Sequence, residues 1–370
     1  MELIEKIKEI FNKIDKQKLM LFGSIIGVML AIIITIAIVV KIVGIKMSYE
    51  KLEEKLEVAA EKYMNDNTNN LPTETNPTTV VSATTLIENK YVKELKKYVK
   101  DSSCTANVNV YWNNGSYKYQ TFLTCNEFKT QLFIDKIKSD NKISSFGEGL
   151  YEMNNELVYR GENPNNYVNY GKELWRIVKI NNKGQFILIK DKLEPDYYGV
   201  WDDRYNTEAD TANGINTFSL SRALSTIRNI YHEKYNEKEE LDLFDLCVGN
   251  RNEFDASKNG SSECQSMLTN QTIGLLPVYD FMNASLDSAC VTVKSRECQN
   301  YNYLVNDEDK WWTATGNNKN SYDVYYIGYS GEIESEEAAI GANYRYIVAL
   351  NKNVLFKSGT GTEKDPYIIR

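Results

Sequence analysis

The stretch CTANVNVYWNNGSYKYQTFLTC, residues 104–125, sets out one complete supersecondary unit. Asn114-Gly115 at its centre signals a two-residue hairpin turn, because both turn positions need positive φ. With that loop, cross-strand partners sum to 229: Asn113 faces Ser116, Trp112 faces Tyr117 and Val110 faces Tyr119. Cys104 and Cys125 obey the same sum. Counted outward along the ladder they fall at a non-hydrogen-bonded pair, where Cα atoms approach to about 4.5 Å, within disulfide range. Val108, Val110, Trp112, Tyr117 and Tyr119 share the cysteine face, so the bridge is expected on the apolar side of a small sheet.

Upstream, LMLFGSIIGVMLAIIITIAIVV (Leu19–Val40) runs for 22 residues without a charge. As a helix rising about 1.5 Å per residue, it spans a hydrocarbon core of roughly 30 Å. KIVGIKM follows with no small-x-small cleavage site, so the run reads as an anchor rather than a removed signal peptide. Lys6, Lys8, Lys13, Lys16 and Lys18 before it nearly balance Lys41, Lys46, Lys51 and Lys55 after it, and lysine counting orients the helix only weakly. The cysteines orient it better. Cys104, Cys125, Cys247, Cys264, Cys290 and Cys298 all follow the span, are even in number and contain no C-x-x-C pair, as disulfides in an oxidising compartment would be. The N-terminus is therefore expected inside and the remainder outside. Gly23-x-x-x-Gly27, continued by Ala31 and Thr35, lines one helix face with small residues, the pattern of a span that dimerises.

Beyond the span, MSYEKLEEKLEVAAEKYM (47–64) carries Leu52, Leu56, Ala59 or Ala60, and Tyr63 on one stripe, so the membrane helix is expected to continue as a stalk. NDNTNNLPTETNPTT (65–79) ends it with Asn, Thr and two prolines. Thr85–Val99 is a second amphipathic stretch through Leu86, Tyr91, Val92, Leu95 and Val99. Of the 43 Lys and Arg, five precede the span, as do four of the 51 Asp and Glu, leaving −9 on the remainder. That balance excludes nucleic acid and anionic lipid as partners, since both need a basic surface.

From residue 146 the texture changes to short strands, turns and frequent Tyr and Trp. Leu157–Arg160, Glu173–Ile180 and Gln185–Lys190 read as strands, the last two joined at Asn182-Lys183-Gly184. Ser219–Tyr235 reads as a helix with Leu220, Leu224, Ile227 and Tyr231 on its stripe. Ile273–Pro277 reads as a strand entering a short helix at Val278–Ser285. Trp311–Ala314, Val324–Tyr329 and Tyr344–Leu350 are further strands. Sequence proximity suggests Cys247–Cys264 and Cys290–Cys298, although four cysteines allow three pairings.

Chemistry-bearing motifs are sparse. His232, the sole histidine, excludes His-based triads and multi-histidine metal sites, and falls off the apolar stripe of its helix. Ser139-Asp140-Asn141-Lys142 fits S-x-x-K and Lys357-Ser358-Gly359 resembles K-T-G, but neither has the core-helix and inner-strand setting that acyl transfer needs. No catalytic residue is assigned. Glu194, Asp196, Asp202 and Asp203 cluster in one acidic stretch, and calcium is the one cofactor such oxygens suggest. The five Trp and many Tyr could stack on sugars, although core packing explains them at less cost.

The succession ENPNNYVNYGKELWRIVKI (162–180), VWDDRYN (200–206), SLSRALSTIRNIY (219–231), IGLLPVYDFMNAS (273–285), WWTAT (311–315) and SGTGTEKDPYIIR (358–370) resembles membrane-anchored surface proteins of low-GC Gram-positive bacteria that share a C-terminal domain of unknown function. The order of elements is also similar to C-type-lectin-like domains, including formylglycine-generating-enzyme relatives and the Fibrobacter major-paralogue domain. The shared points are Leu174-Trp175-Arg176, Leu276-Pro277 before a helix, Trp311–Thr313 and a late strand at Tyr344–Leu350. This chain has Tyr344-Arg345-Tyr346 where those domains usually read V-R-P. The N-terminal half resembles pilins in its apolar helix, amphipathic stalk and small disulfide-bearing sheet, without their Gly cleavage site followed by Glu.

The expected architecture is α+β. It comprises a cytoplasmic tail (1–18), a transmembrane helix (19–40), a stalk helix (41–64), a small hairpin domain (65–145) and a C-type-lectin-like domain (146–370). The resemblance implies a single-pass protein of the bacterial plasma membrane that binds glycan, cell wall or protein outside the cell. The alternatives are a pilin-like or secretion-assembly component and an extracellular enzyme acting on the cell wall.

Overall fold

The computed structural model describes residues 46–370 except Asn114, Glu237 and Asp307, together with residues 5, 27–30, 32 and 33. The tail, Gly23 and most of Leu19–Val40 lie outside the described residues. Among the described residues, no helix is long and apolar enough to cross a membrane. The chain is α+β, divided by its contacts into one unit ending at Thr130 and a second from Gln131 to Arg370. This division falls ahead of the 145/146 boundary expected from texture. The reason is that the helix Phe133–Asp140 buries Phe133 and Ile137 in the second core, with the Phe133 ring 4.7 Å from that of Phe186.

The first unit is a helix on a three-stranded antiparallel sheet, in which Thr78–Ser82 pairs with Thr105–Asn113 and Thr105–Asn113 with Ser116–Thr124. The hairpin register is the one its turn dictates, from Asn113↔Ser116 to Thr105↔Thr124, with Gly115 at φ +83°. One step further, Cys104 and Cys125 are bridged with Cα atoms 4.2 Å apart. Val108, Val110 and Leu123 are fully buried, while Trp112 at the distal end is exposed and packs edge-on against Tyr117. The sheet's third strand was hidden in Thr78–Ser82, directly after a proline-rich stretch that reads as loop.

The expected stalk is instead part of this core. Ser48 is extended at φ −69°, ψ 162° and caps a helix over Tyr49–Asp66, accepting from Lys51 N. A capped N-terminus starts a helix rather than continuing one. Leu52, Leu56, Ala60 and Met64 are fully buried against the sheet, worth about 1.5–3 kcal/mol for each large side chain. Thr121 ties helix to sheet, its N–H donating to Glu57 Oε1 at 3.0 Å and its hydroxyl to Glu53 O at 3.1 Å. The stretch Thr85–Val99 also differs from expectation. Its helix covers only Ala83–Glu88, capped by Ser82, and the chain turns at Lys90 (φ +66°) before a single turn at Leu95–Lys97.

The second unit is built on a ten-stranded curled sheet. Its central path runs Tyr346–Leu350, Phe186–Lys190, Glu173–Ile180, Tyr167–Tyr170, Tyr367–Ile369, with Gly149–Met153 and Glu156–Arg160 joining beside Glu173–Ile180. A five-stranded sheet around Trp311–Gly316 and Asp323–Ile327 and a two-stranded one complete it. Phe186–Lys190 and most of Glu173–Ile180 are buried on both faces, which explains their continuous apolar runs. The helix Arg222–Lys234 is capped by Ser221 and buries Ala223, Leu224, Ile227, Ile230 and Tyr231. Leu220, expected on that stripe, precedes the cap and is exposed. Cys247–Cys264 and Cys290–Cys298 are both bridged.

Candidate functional site

The strand Glu173–Ile180, ELWRIVKI, places two cations, Arg176 and Lys179, within a segment that is otherwise core. Each must be satisfied locally, because an unpaired buried charge is strongly unfavourable. Arg176 is held by its neighbours on three sides. Its cross-strand partner is Tyr167, whose ring centroid lies 3.7 Å from the guanidinium carbon, and the Tyr303 ring lies 4.7 Å from the same atom. Nε donates to Asn166 Oδ1 at 2.7 Å, and Nη1 lies 3.7 Å from Asp191 Oδ1. Asn166 is itself fixed, its amide donating to Ile177 O at 2.8 Å. Burial pulls the guanidinium below its ordinary range, countered by the two tyrosines and Asp191.

Arg176 forms part of the wall of an open polar cavity of about 740 Å³. The side chain is 4% exposed, yet Nη2 has no hydrogen-bond partner. A buried donor left unmade costs about 1–3 kcal/mol, and this one lies behind the cavity wall with almost no accessible surface. Glu162, Asn163, Asp191, Asp287 and Asn300 line the cavity, with Tyr301 at φ +47° and 61% exposed. Two devices shape it. Gly161 (φ +117°) approaches Glu148 so closely that an added Cβ would sit 2.2 Å from Glu148 Cβ, and Glu148 Oε2 accepts from Asn163 N. Arg345 donates to Lys190 O, Leu304 O and Asp191 O at 2.6–2.9 Å, pinning two cavity segments together. Arg345 is the residue of the late strand quoted in the sequence resemblance.

The four carboxylates considered for calcium form no group that could share an ion among the described residues. Asp202 is buried and its Oδ2 accepts from Arg204 Nη2 and Nε at 2.7 and 2.9 Å, and Asp203 pairs with Arg222. Glu194 contacts Lys190 and Lys234 at 2.6 and 2.9 Å; burial opposes its ionisation, but those lysines hold its carboxyl below the ordinary range. Asp196 stands exposed on the turn Pro195–Tyr197. Among the described residues, the one group with ligand spacing is Asp101, Cys104 and Cys125, whose sulfurs are already joined to each other. His232 is exposed, its Nδ1 3.3 Å from Asn236 Oδ1.

Arg176 was visible as part of a motif but carried no assigned chemistry. The available signal was a charge inside a run that core burial should have kept apolar. What the fold and cavity define is a disulfide-stapled α+β protein with a buried arginine facing a polar recess. No family model, curated protein or solved structure matches the chain.

Proposed function

We propose that this is a single-pass surface protein, anchored by Leu19–Val40, whose second unit is a C-type-lectin-like module that binds a neutral, hydroxyl-rich saccharide in the Arg176 cavity. The observation that carries the reading is the open recess of about 740 Å³, lined by Asn, Asp and Glu side chains with Arg176 in its wall. Planar amides, carboxylates and a guanidinium can each engage adjacent hydroxyls, and the exposed Tyr301 offers a face for a sugar ring. Glu162, Asp191 and Asp287 outnumber the single guanidinium, which disfavours an anionic ligand.

The test is an array of bacterial and host glycans probed with the oxidised chain from Met47 onward, in calcium and in EDTA. Binding in both buffers is expected, because Glu194, Asp202 and Asp203 already have cationic partners. Binding lost in EDTA would replace the cavity with a metal site, and silence in both buffers would remove the saccharide reading.

A second reading, a pilin-like assembly subunit, draws on the helix Tyr49–Asp66 packed on a disulfide-bearing sheet behind an apolar N-terminal stretch. Recovery of the full-length chain in a large homopolymer would favour it.

A further inference from the structure

The second cation of ELWRIVKI, Lys179, sits in a separate buried cluster. Glu156 opens the neighbouring strand, where Val158 is the cross-strand partner of Lys179, and Asp280 comes from the helix Val278–Ala284. Lys179 is 7% exposed and Asp280 2%. Lys179 Nζ lies 3.0 Å from Asp280 Oδ1 and 3.1 Å from Glu156 Oε2, and donates to Tyr279 Oη at 3.0 Å. Nζ is thus already in contact with the Asp280 carboxyl group, whose carbon is one bond from Oδ1, and both side chains are held there by burial.

We infer that Lys179 and Asp280 become joined by an amide bond inside the folded chain, with Glu156 carrying the protons.

Three observations favour this over a permanent ion pair. Two carboxylates against one ammonium leave an excess negative charge in a buried place, and desolvating ions there is costly. Forming the amide removes one positive and one negative charge together. Burial also pushes the Asp280 carboxyl up to about 6, against the pull of Lys179, toward the neutral acid that amide formation consumes. At Lys179 burial is outweighed by Asp280, Tyr279 and Glu156, which keep the amine charged until Glu156 takes its proton. Finally, Lys179, Glu156 and Asp280 all border a cleft of about 310 Å³, an exit for the water released.

The chemistry balances without a co-reactant. Glu156 takes a proton from the Lys179 ammonium, and Asp280 reacts as its neutral acid. The amine lone pair forms the C–N bond to Asp280 Cγ as the carbonyl π pair moves onto oxygen. Glu156 then passes a proton from nitrogen to the departing hydroxyl, the C–O bond breaks, and one water leaves. No group is oxidised or reduced; Glu156 begins as the carboxylate, finishes holding the proton it took from the Lys179 ammonium, and returns that proton to solvent through the cleft.

The experiment is mass spectrometry of the full-length chain, reduced and alkylated, followed by peptide sequencing. The expected result is an intact mass one water below that of the sequence, with a branched peptide joining the Lys179 and Asp280 segments. K179R and E156Q, which keep a cation and the side-chain shape respectively, should both restore the full mass and give separate peptides. A wild-type chain of full mass would overturn the inference. So would a water loss located on an unbranched peptide, as a cyclised Asp or Asn would give. A branched peptide that persists in E156Q would overturn the role of Glu156.

Discussion

Arg176 and Tyr167 are directly opposed across antiparallel strands, with the guanidinium carbon 3.7 Å from the centre of the phenol ring. Register alone fixes this pair, and the Tyr303 ring lies 4.7 Å from the same carbon. The guanidinium is thus held between its neighbours in the wall of the recess.

Arg176→Lys should therefore be a severe change although it keeps the charge. An ammonium cannot stack between two rings or present the same fork of donors. Saccharide binding should weaken by the equivalent of about 1.5–3 kcal/mol, the range for a hydrogen bond to a charged group. Calorimetric titration with the array-selected glycan reads this, and unchanged affinity would detach Arg176 from the site.

Tyr301→Ala separates binding from folding. Tyr301 is 61% exposed, so the melting temperature should hold within about a degree or two while affinity falls by about tenfold. A fall in melting temperature with intact affinity would reverse the assignment.

Arg251 and Glu263 form a fully buried bidentate pair, with Nη1 3.0 and 3.1 Å from the two carboxylate oxygens. Glu263 Oε1 also accepts from Tyr279 N. Arg251→Met should cost about 3–5 kcal/mol, because it leaves a buried carboxylate without its cation. The double variant with Glu263→Met should lose less than the single one in urea unfolding.

Burial, with Arg160 and Arg251 nearby and only Asp287 opposing, pushes the Lys258 amine down to about 8. Between about pH 8 and the ordinary lysine range near 10.4, the unfolded chain holds a proton that the folded chain has lost. Stability should therefore rise with pH across that window. Urea midpoints at pH 7.5 and 9.5, compared between the wild type and Lys258→Met, should show the rise only in the wild type. Amine acylation should also label Lys258 at a lower pH than exposed lysines.

Legibility tracked the range of the interaction. Asn113–Ser116 and the Cys104–Cys125 bridge follow from a two-residue loop and the strict alternation of a strand, all within 22 residues. The helix Arg222–Lys234 and the core strands Glu173–Ile180 and Phe186–Lys190 were legible for the same reason. Thr78–Ser82 was missed because its strand character depends on pairing with Thr105–Asn113, not on its own composition. Leu220 was misplaced because one serine cap, at Ser221, decided where the helical stripe begins.

By itself the sequence determined what local geometry can enforce: the hairpin register, the α+β class, an oxidised cysteine framework and an acidic exterior. Only the tertiary structure decided where the charges inside ELWRIVKI would be satisfied. Asn166, Tyr303, Glu156 and Asp280 reach Arg176 and Lys179 from other elements, and Tyr303 and Asp280 lie more than a hundred residues along the chain. A buried charge requires a partner but does not specify which one. That choice belongs to the sheet and helix that bring those residues within about 3–5 Å.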